Sequence, residues 1–248
     1  MEVVFLGTGV GVPSLRRASP GLIVVAGEEN LLFDSGPGTL RKMLEAGFTY
    51  QDIDRVFYTH FHVDHIADLA PLLFAAKYPL SLRKENLTII GPTGFKEFHE
   101  QLVQLYGKQI VSEHYLLRVE EVDQAGIEGR GFRIVTGSVA HTEQSIGYRI
   151  EDAEGKILVY SGDSDYSTSL VQLCKNANLV ILECSFPDKV QGHLSPSLAG
   201  RVATEANAER LALTHLYPIC DEREILALCE REFSGEVLIA QDLMRVRV

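Results

Sequence analysis

Seven residues, THFHVDH from Thr59 to His65, set the tightest condition on how this chain can fold. Three histidines and an aspartate stand between an apolar run, Arg55–Tyr58, and a segment with helical spacing of apolar residues, Ile66–Lys77. The first run reads as a strand and the second as a helix, so the donors must sit at a strand-to-helix junction, at an edge of the core. His60 and His62 share a face if the backbone between them stays extended, because alternate side chains of a strand point the same way. Asp64 and His65 then fall at the helix start and can turn towards a neighbouring point.

The rest of the chain repeats that alternation. Short apolar, β-branched runs at Val3–Leu6, Leu22–Val25, Leu31–Phe33, Leu87–Ile90, Phe132–Val135, Gly147–Ile150, Ile157–Tyr160, Leu179–Leu182, Leu211–Thr214 and Val237–Ala240 read as further strands. Helical spacing recurs at Thr39–Glu45, Phe95–Tyr106, Ser197–Ala206 and Glu222–Glu232, and Ser195-Pro196 has the form of a helix start. The strands are apolar almost throughout, which predicts burial on both faces, between a second sheet and covering helices. A layered α/β domain over residues 1–248 is expected, with no repeat or linker to divide it.

Composition narrows the function. Hydrophobic residues make up 46% and charged residues 23%, the balance of a folded globular chain. The start MEVVFLGTGV lacks the form of a signal peptide, and no run approaches the roughly 18 apolar residues of a membrane span. Four cysteines without CxxC spacing suit a reducing, cytoplasmic setting. A formal charge of −11 disfavours simple attraction to a polyanion, although Arg16, Arg17, Arg83 and Lys84 offer the makings of a local basic patch.

Clusters of imidazole and carboxylate donors mark metal sites rather than polar turns. His141, Asp163 and His215 add three donors, each where a strand gives way to a loop. Nitrogen and oxygen donors without thiolates suit Zn²⁺, with Mn²⁺ or Fe²⁺ as alternatives, and two adjacent ions need a bridging carboxylate, for which Asp163 is the candidate. His99 and His114 lie outside any donor pattern and read as structural or surface residues.

THFHVDH, SVAH, SGDSD and LTHLYP together resemble the metallo-β-lactamase superfamily. The ordered set FLGTGVGVPSLRRASP, LLFDSGPGT, GPTGF, HTEQSIGYRI, SGDSD, LECSF, GHLSP and LTHLYP is similar to its ribonuclease Z-like group over nearly the whole chain. The resemblance implies a four-layer αββα sandwich with two divalent metal ions at one edge. It implies one ion on His60, His62 and His141, another on Asp64, His65 and His215, and Asp163 between them. Asp34 would support the ligand loop from behind or simply cap the GPGT turn. Asp64 could also orient the attacking water, His193 would protonate the leaving group, and Glu183 would orient His193.

Three departures bear on the substrate. Leu182-Glu183-Cys184-Ser185 stands where ribonuclease Z has His-Glu-Ala-Thr, and His193-Leu194-Ser195 where it has His-Ser-Thr. Only 21 residues separate His141 from Asp163, too few for the protruding arm with which the family holds transfer RNA. The expected function is a metal-dependent hydrolase, a dinuclear phosphodiesterase acting on a small or cyclic phosphodiester. The alternatives are a transfer-RNA 3′ endonuclease, using an arm from a homodimer partner or none, and a non-catalytic metal-binding sensor or binding module.

Overall fold

The computed structural model describes residues 1–78, 83–122, 126–220 and 222–248. In chain order the strands are β1 (Glu2–Gly7), β2 (Gly21–Ala26), β3 (Glu29–Phe33), β4 (Arg55–Phe57), β5 (Leu87–Gly91), β6 (Leu117–Glu121) and β7 (Gly126–Gly129). They continue as β8 (Phe132–Ser138), β9 (Ile146–Asp152), β10 (Ile157–Tyr160), β11 (Leu179–Glu183), β12 (Arg210–Thr214), β13 (Glu236–Ile239) and β14 (Arg245–Arg247). The helices are α1 (Thr39–Glu45), α2 (Val63–Ile66), α3 (Leu69–Ala76), α4 (Phe95–Tyr106), α5 (Thr168–Leu173), α6 (Pro196–Glu205) and α7 (Glu222–Glu230).

Two seven-stranded sheets face one another, ordered β14-β1-β2-β3-β4-β5-β6 and β13-β12-β11-β10-β9-β8-β7. Each is antiparallel on one side and parallel on the other, with β3 to β6 parallel in the first and β10 to β13 parallel in the second. Between them lies an apolar layer in which Phe33 and Phe57 stack at 4.8 Å and Tyr148 meets both edge-on. The outer face of the first sheet packs against α1, α3 and α4 through Met43, Leu69, Leu73 and Phe95, and that of the second against α5, α6 and α7 through Leu170, Val202 and Ile225. Both faces of the central strands are therefore buried, as their continuous apolar character predicts, and the architecture is the expected αββα sandwich.

Two local findings shape the site. The helix expected at Ile66–Lys77 is two pieces, α2 and α3, and the break falls at Asp68, whose carboxylate accepts the Leu40 amide at 3.1 Å. Ser195 caps α6 by accepting from the Leu198 amide, with Pro196 at the first helical position. The chain passes from β3, β4, β8, β10, β11 and β12 into loops at one edge of the sandwich, where their donors accumulate. That edge is where open α/β sheets generally bind ligands.

Candidate active site

Asp163 is buried in the loop after β10, and its two carboxylate oxygens face different groups of histidines. Oδ1 lies 3.2 Å from His65 Nε2 and 3.4 Å from His215 Nε2, while Oδ2 lies 3.7 Å from His141 Nε2 and 3.9 Å from His60 Nε2. The structure thus gathers His60, His62, His141 and Asp163 into one group and Asp64, His65 and His215 into a second, each with one donor atom per residue within 4.8 Å of the others. A third group of the same tightness joins Asp163, His193 and His215, so His193 opens onto the same space.

The imidazoles are oriented by hydrogen bonds on their far sides. Thr59 Oγ1 donates to Asp34, 2.9 Å from Oδ2, and so accepts from His60 Nδ1 at 2.9 Å. His65 Nδ1 donates to Asp34 Oδ2 at 2.8 Å, and His141 Nδ1 donates to the Gly192 carbonyl at 2.9 Å. With Nδ1 engaged in this way, each ring turns Nε2 inward as the nitrogen that can hold a cation. His60 Nε2 and Asp163 Oδ1 are buried without any hydrogen-bond partner. His65 Nε2 and His215 Nε2 stand 3.3 Å apart, and His141 Nε2 stands 3.1 Å from His62 Nδ1. Donor atoms so close, around a buried carboxylate, repel unless a proton or a metal cation lies among them, and a set of this size and composition fits divalent metal ions.

The electrostatics agree. Burial, together with the neighbouring His65, pushes His60 well below the usual imidazole range, which keeps it neutral. Burial acts the same way on His65, but the Asp163 and Asp34 carboxylates outweigh it and raise His65 well above that range. Burial would raise Asp163, yet His215, His65 and His60 hold it well below the ordinary carboxylate range. The concentrated negative charge that attracts a proton to His65 is the charge a divalent cation would neutralise.

Asp34 is more than a turn residue. It sits at the end of β3 with φ of 54°, a left-handed conformation that Asp tolerates better than most residues. Fully buried, it accepts from the Thr59 amide at 2.9 Å and from Tyr160 Oη at 2.8 Å besides Thr59 Oγ1 and His65 Nδ1. Tyr160 belongs to the other sheet, so Asp34 also ties the two sheets together beneath the site. Nothing in the sequence marks Thr59 or Tyr160 as site residues: Thr59 is the first residue of THFHVDH and Tyr160 the last of an apolar run.

Glu183 ends β11, fully buried, and its Oε1 accepts from His193 Nδ1 at 2.8 Å and from the Ser164 amide at 2.8 Å. Burial lowers the His193 pKa, but the hydrogen bond to Glu183 outweighs it and the net shift is upward. Beside His193 stands a stacked aromatic pair, Phe186 and Tyr217, with ring centroids 4.3 Å apart. Three of the four basic residues that could make a local patch are engaged elsewhere. Arg83 is buried and bound to the carbonyls of Tyr50, Glu85 and Asn86, while Arg16 and Arg17 share Glu222 Oε1. Among the described residues no helix is long and apolar enough to cross a membrane.

Residues 29–216 match the family model of the beta-lactamase superfamily domain. The probable metallo-hydrolase YhfI of Bacillus subtilis is 32% identical, with 97% of each chain covered. Its crystal structure superposes with a TM-score of 0.87 at 29% identity, covering 99% of this chain and 98% of that one. A ribonuclease Z of Archaeoglobus fulgidus is 27% identical, covering all of this chain and 97% of the relative. The crystal structure of human tRNase Z, short form, gives a TM-score of 0.79 at 26% identity, covering 100% and 99% of the two chains. The chain belongs to the β-lactamase superfamily, as a ribonuclease Z-like hydrolase of the metallo-β-lactamase fold.

Proposed function

We propose that this protein is a dinuclear metal-dependent phosphodiesterase whose substrate is a small or cyclic phosphodiester. The observation that carries the reading is the division of Asp163, with one oxygen towards His65 and His215 and the other towards His60 and His141. His60, His62 and His141 would hold one ion, Asp64, His65 and His215 the other, with Asp163 between them; Zn²⁺ suits these donors best. Bound there, the ions would supply Lewis-acid activation of water and of the phosphoryl oxygens.

The chain's own residues supply the rest. Asp64, only part-buried and 3.5 Å from His215 Nε2, would orient the attacking water and take its proton. His193, with Nδ1 committed to Glu183, presents Nε2 to the leaving oxygen and protonates it as the P–O bond breaks. Glu183 fixes that tautomer and stabilises the imidazolium. Free thiols at all four cysteines suit a cytoplasmic setting.

The choice of a small substrate over precursor transfer RNA rests on chain length. The alignment with the Archaeoglobus relative runs over 305 positions and that with YhfI over 250, against 248 residues here, so the longer relative carries segments that this chain and YhfI lack. Between His141 and Asp163 the structure has only β9, β10 and the turn joining them. The net charge of −11 and the dispersed arginines give little purchase on an RNA backbone. Measuring kcat/KM on chromogenic phosphodiester, phosphomonoester, lactone, thioester and β-lactam substrates, and on precursor transfer RNA in the same salt, tests the reading. The phosphodiester should lead. Efficient single-site cleavage at the RNA acceptor 3′ end, with poor hydrolysis of the small ester, would overturn the substrate assignment.

A further inference from the structure

Ser185 follows Glu183 by two residues, where β11 runs into the loop that carries His193, and it is fully buried. Its Oγ lies 2.6 Å from Glu183 Oε2, 2.8 Å from His215 Nδ1 and 3.2 Å from His193 Nδ1. A hydroxyl has one proton to give. The carboxylate can only accept, and its contact is the shortest, so the proton goes to Glu183. Towards His215 the oxygen is then the acceptor, and the contact is a hydrogen bond only if His215 carries its proton on Nδ1. That leaves His215 Nε2, 3.4 Å from Asp163 Oδ1 and 3.5 Å from Asp64 Oδ2, as a bare lone pair.

The serine is itself held in place. Its carbonyl accepts from the Tyr217 amide at 3.3 Å and from Cys220 Sγ at 3.3 Å, so the loop that follows His215 grips the backbone beneath the hydroxyl. Meanwhile His193 Nδ1 donates to the same carboxylate, at 2.8 Å from Oε1. One oxygen atom therefore stands between a donor of the second metal group and the pair that faces the leaving group.

We propose that Ser185 is a positioning residue whose single hydroxyl locks His215 in the Nδ1-protonated form and ties it to the carboxylate that orients His193. The proposal rests on the reading of the cluster as a metal site with His193 as proton donor. A serine that merely filled space could become alanine at a packing cost alone. Here alanine leaves a buried Nδ1–H without an acceptor, and the ring escapes by moving its proton to Nε2, where it blocks the donor position.

The test compares wild type, Ser185→Ala and Ser185→Thr. Long-range ¹H–¹⁵N spectra of the imidazoles in metal-free protein should show His215 protonated on Nδ1 in wild type and Ser185→Thr, and shifted towards Nε2 in Ser185→Ala. Chelator competition with Zn²⁺ should show the second ion bound about 10–100-fold more weakly in Ser185→Ala, with the first unchanged and Ser185→Thr close to wild type. Wild-type tautomer and second-ion affinity in Ser185→Ala would overturn the proposal. Equal losses in both variants would overturn it too, because packing rather than the hydroxyl would then be at work. If wild type hydrolyses no phosphodiester, the proposed function fails, while the spectra and the metal titration still decide the role of Ser185.

Discussion

Asp34 Oδ2 lies 2.8 Å from His65 Nδ1, both groups fully buried, so a side chain from the end of β3 sets which nitrogen of His65 faces Asp163. Exchanging that carboxylate for its amide keeps the shape and removes acceptor capacity facing Thr59, His65 and Tyr160. Asp34→Asn should weaken binding of the second ion about 10–100-fold and lower Tm, the first read by chelator competition and the second by calorimetry. Unchanged metal affinity would return Asp34 to the role of a simple turn cap.

His193 stands outside the two groups divided by Asp163, with its Nδ1 held by Glu183. His193→Ala should keep its metal content and lose about 10²–10⁴-fold in kcat, most for esters with poor leaving groups, because proton donation matters most there. A rate series over aryl phosphodiesters of graded leaving-group acidity, with elemental analysis of the variant, decides it. Loss of an ion would make His193 a ligand, as the group of Asp163, His193 and His215 allows.

Gly36 brings the loop after Asp34 against the ligand helix. The Ser35 amide donates to the His65 carbonyl at 2.6 Å, and a Cβ on Gly36 would fall 1.8 Å from the Asp64 carbonyl oxygen. Gly36→Ala should cost about 1–3 kcal/mol, lower Tm by roughly 2–10 °C and weaken metal binding, because the backbone of Asp64 must move. Gly155, with φ of +76° and nothing near its missing Cβ, is the control. Gly155→Ala should lower Tm by a few degrees and leave metal affinity alone. Equal metal affinity in both variants would contradict the coupling of Gly36 to the site.

The central strands and most helices were legible because their apolar residues are buried on both faces, or along a whole stripe, and so follow one period without interruption. β6, β7 and β14 were not, since each lies at an end of a sheet, and the exposed or half-exposed residues of β6 and β7 break that pattern. α5 is six residues long and offers too few turns to show a period. Donor residues stood out because histidine and aspartate at strand ends are chemically conspicuous. Residues that hold those donors did not: Thr59, Tyr160 and Ser185 are common types whose roles arise only when separate strands meet. Arg83 is the same lesson reversed, for a residue that reads as a free surface charge is buried and bound to the carbonyls of Glu85 and Asn86 and, from a distant loop, of Tyr50.

The division of Asp163 between two groups of histidines predicts two ions per chain. Elemental analysis of the protein after loading with Zn²⁺ and removal of excess, for wild type and for Asp163→Ala, measures this directly. Two equivalents in wild type and no more than one in the variant are expected. A single equivalent in wild type, or two retained without the Asp163 carboxylate, would contradict the account.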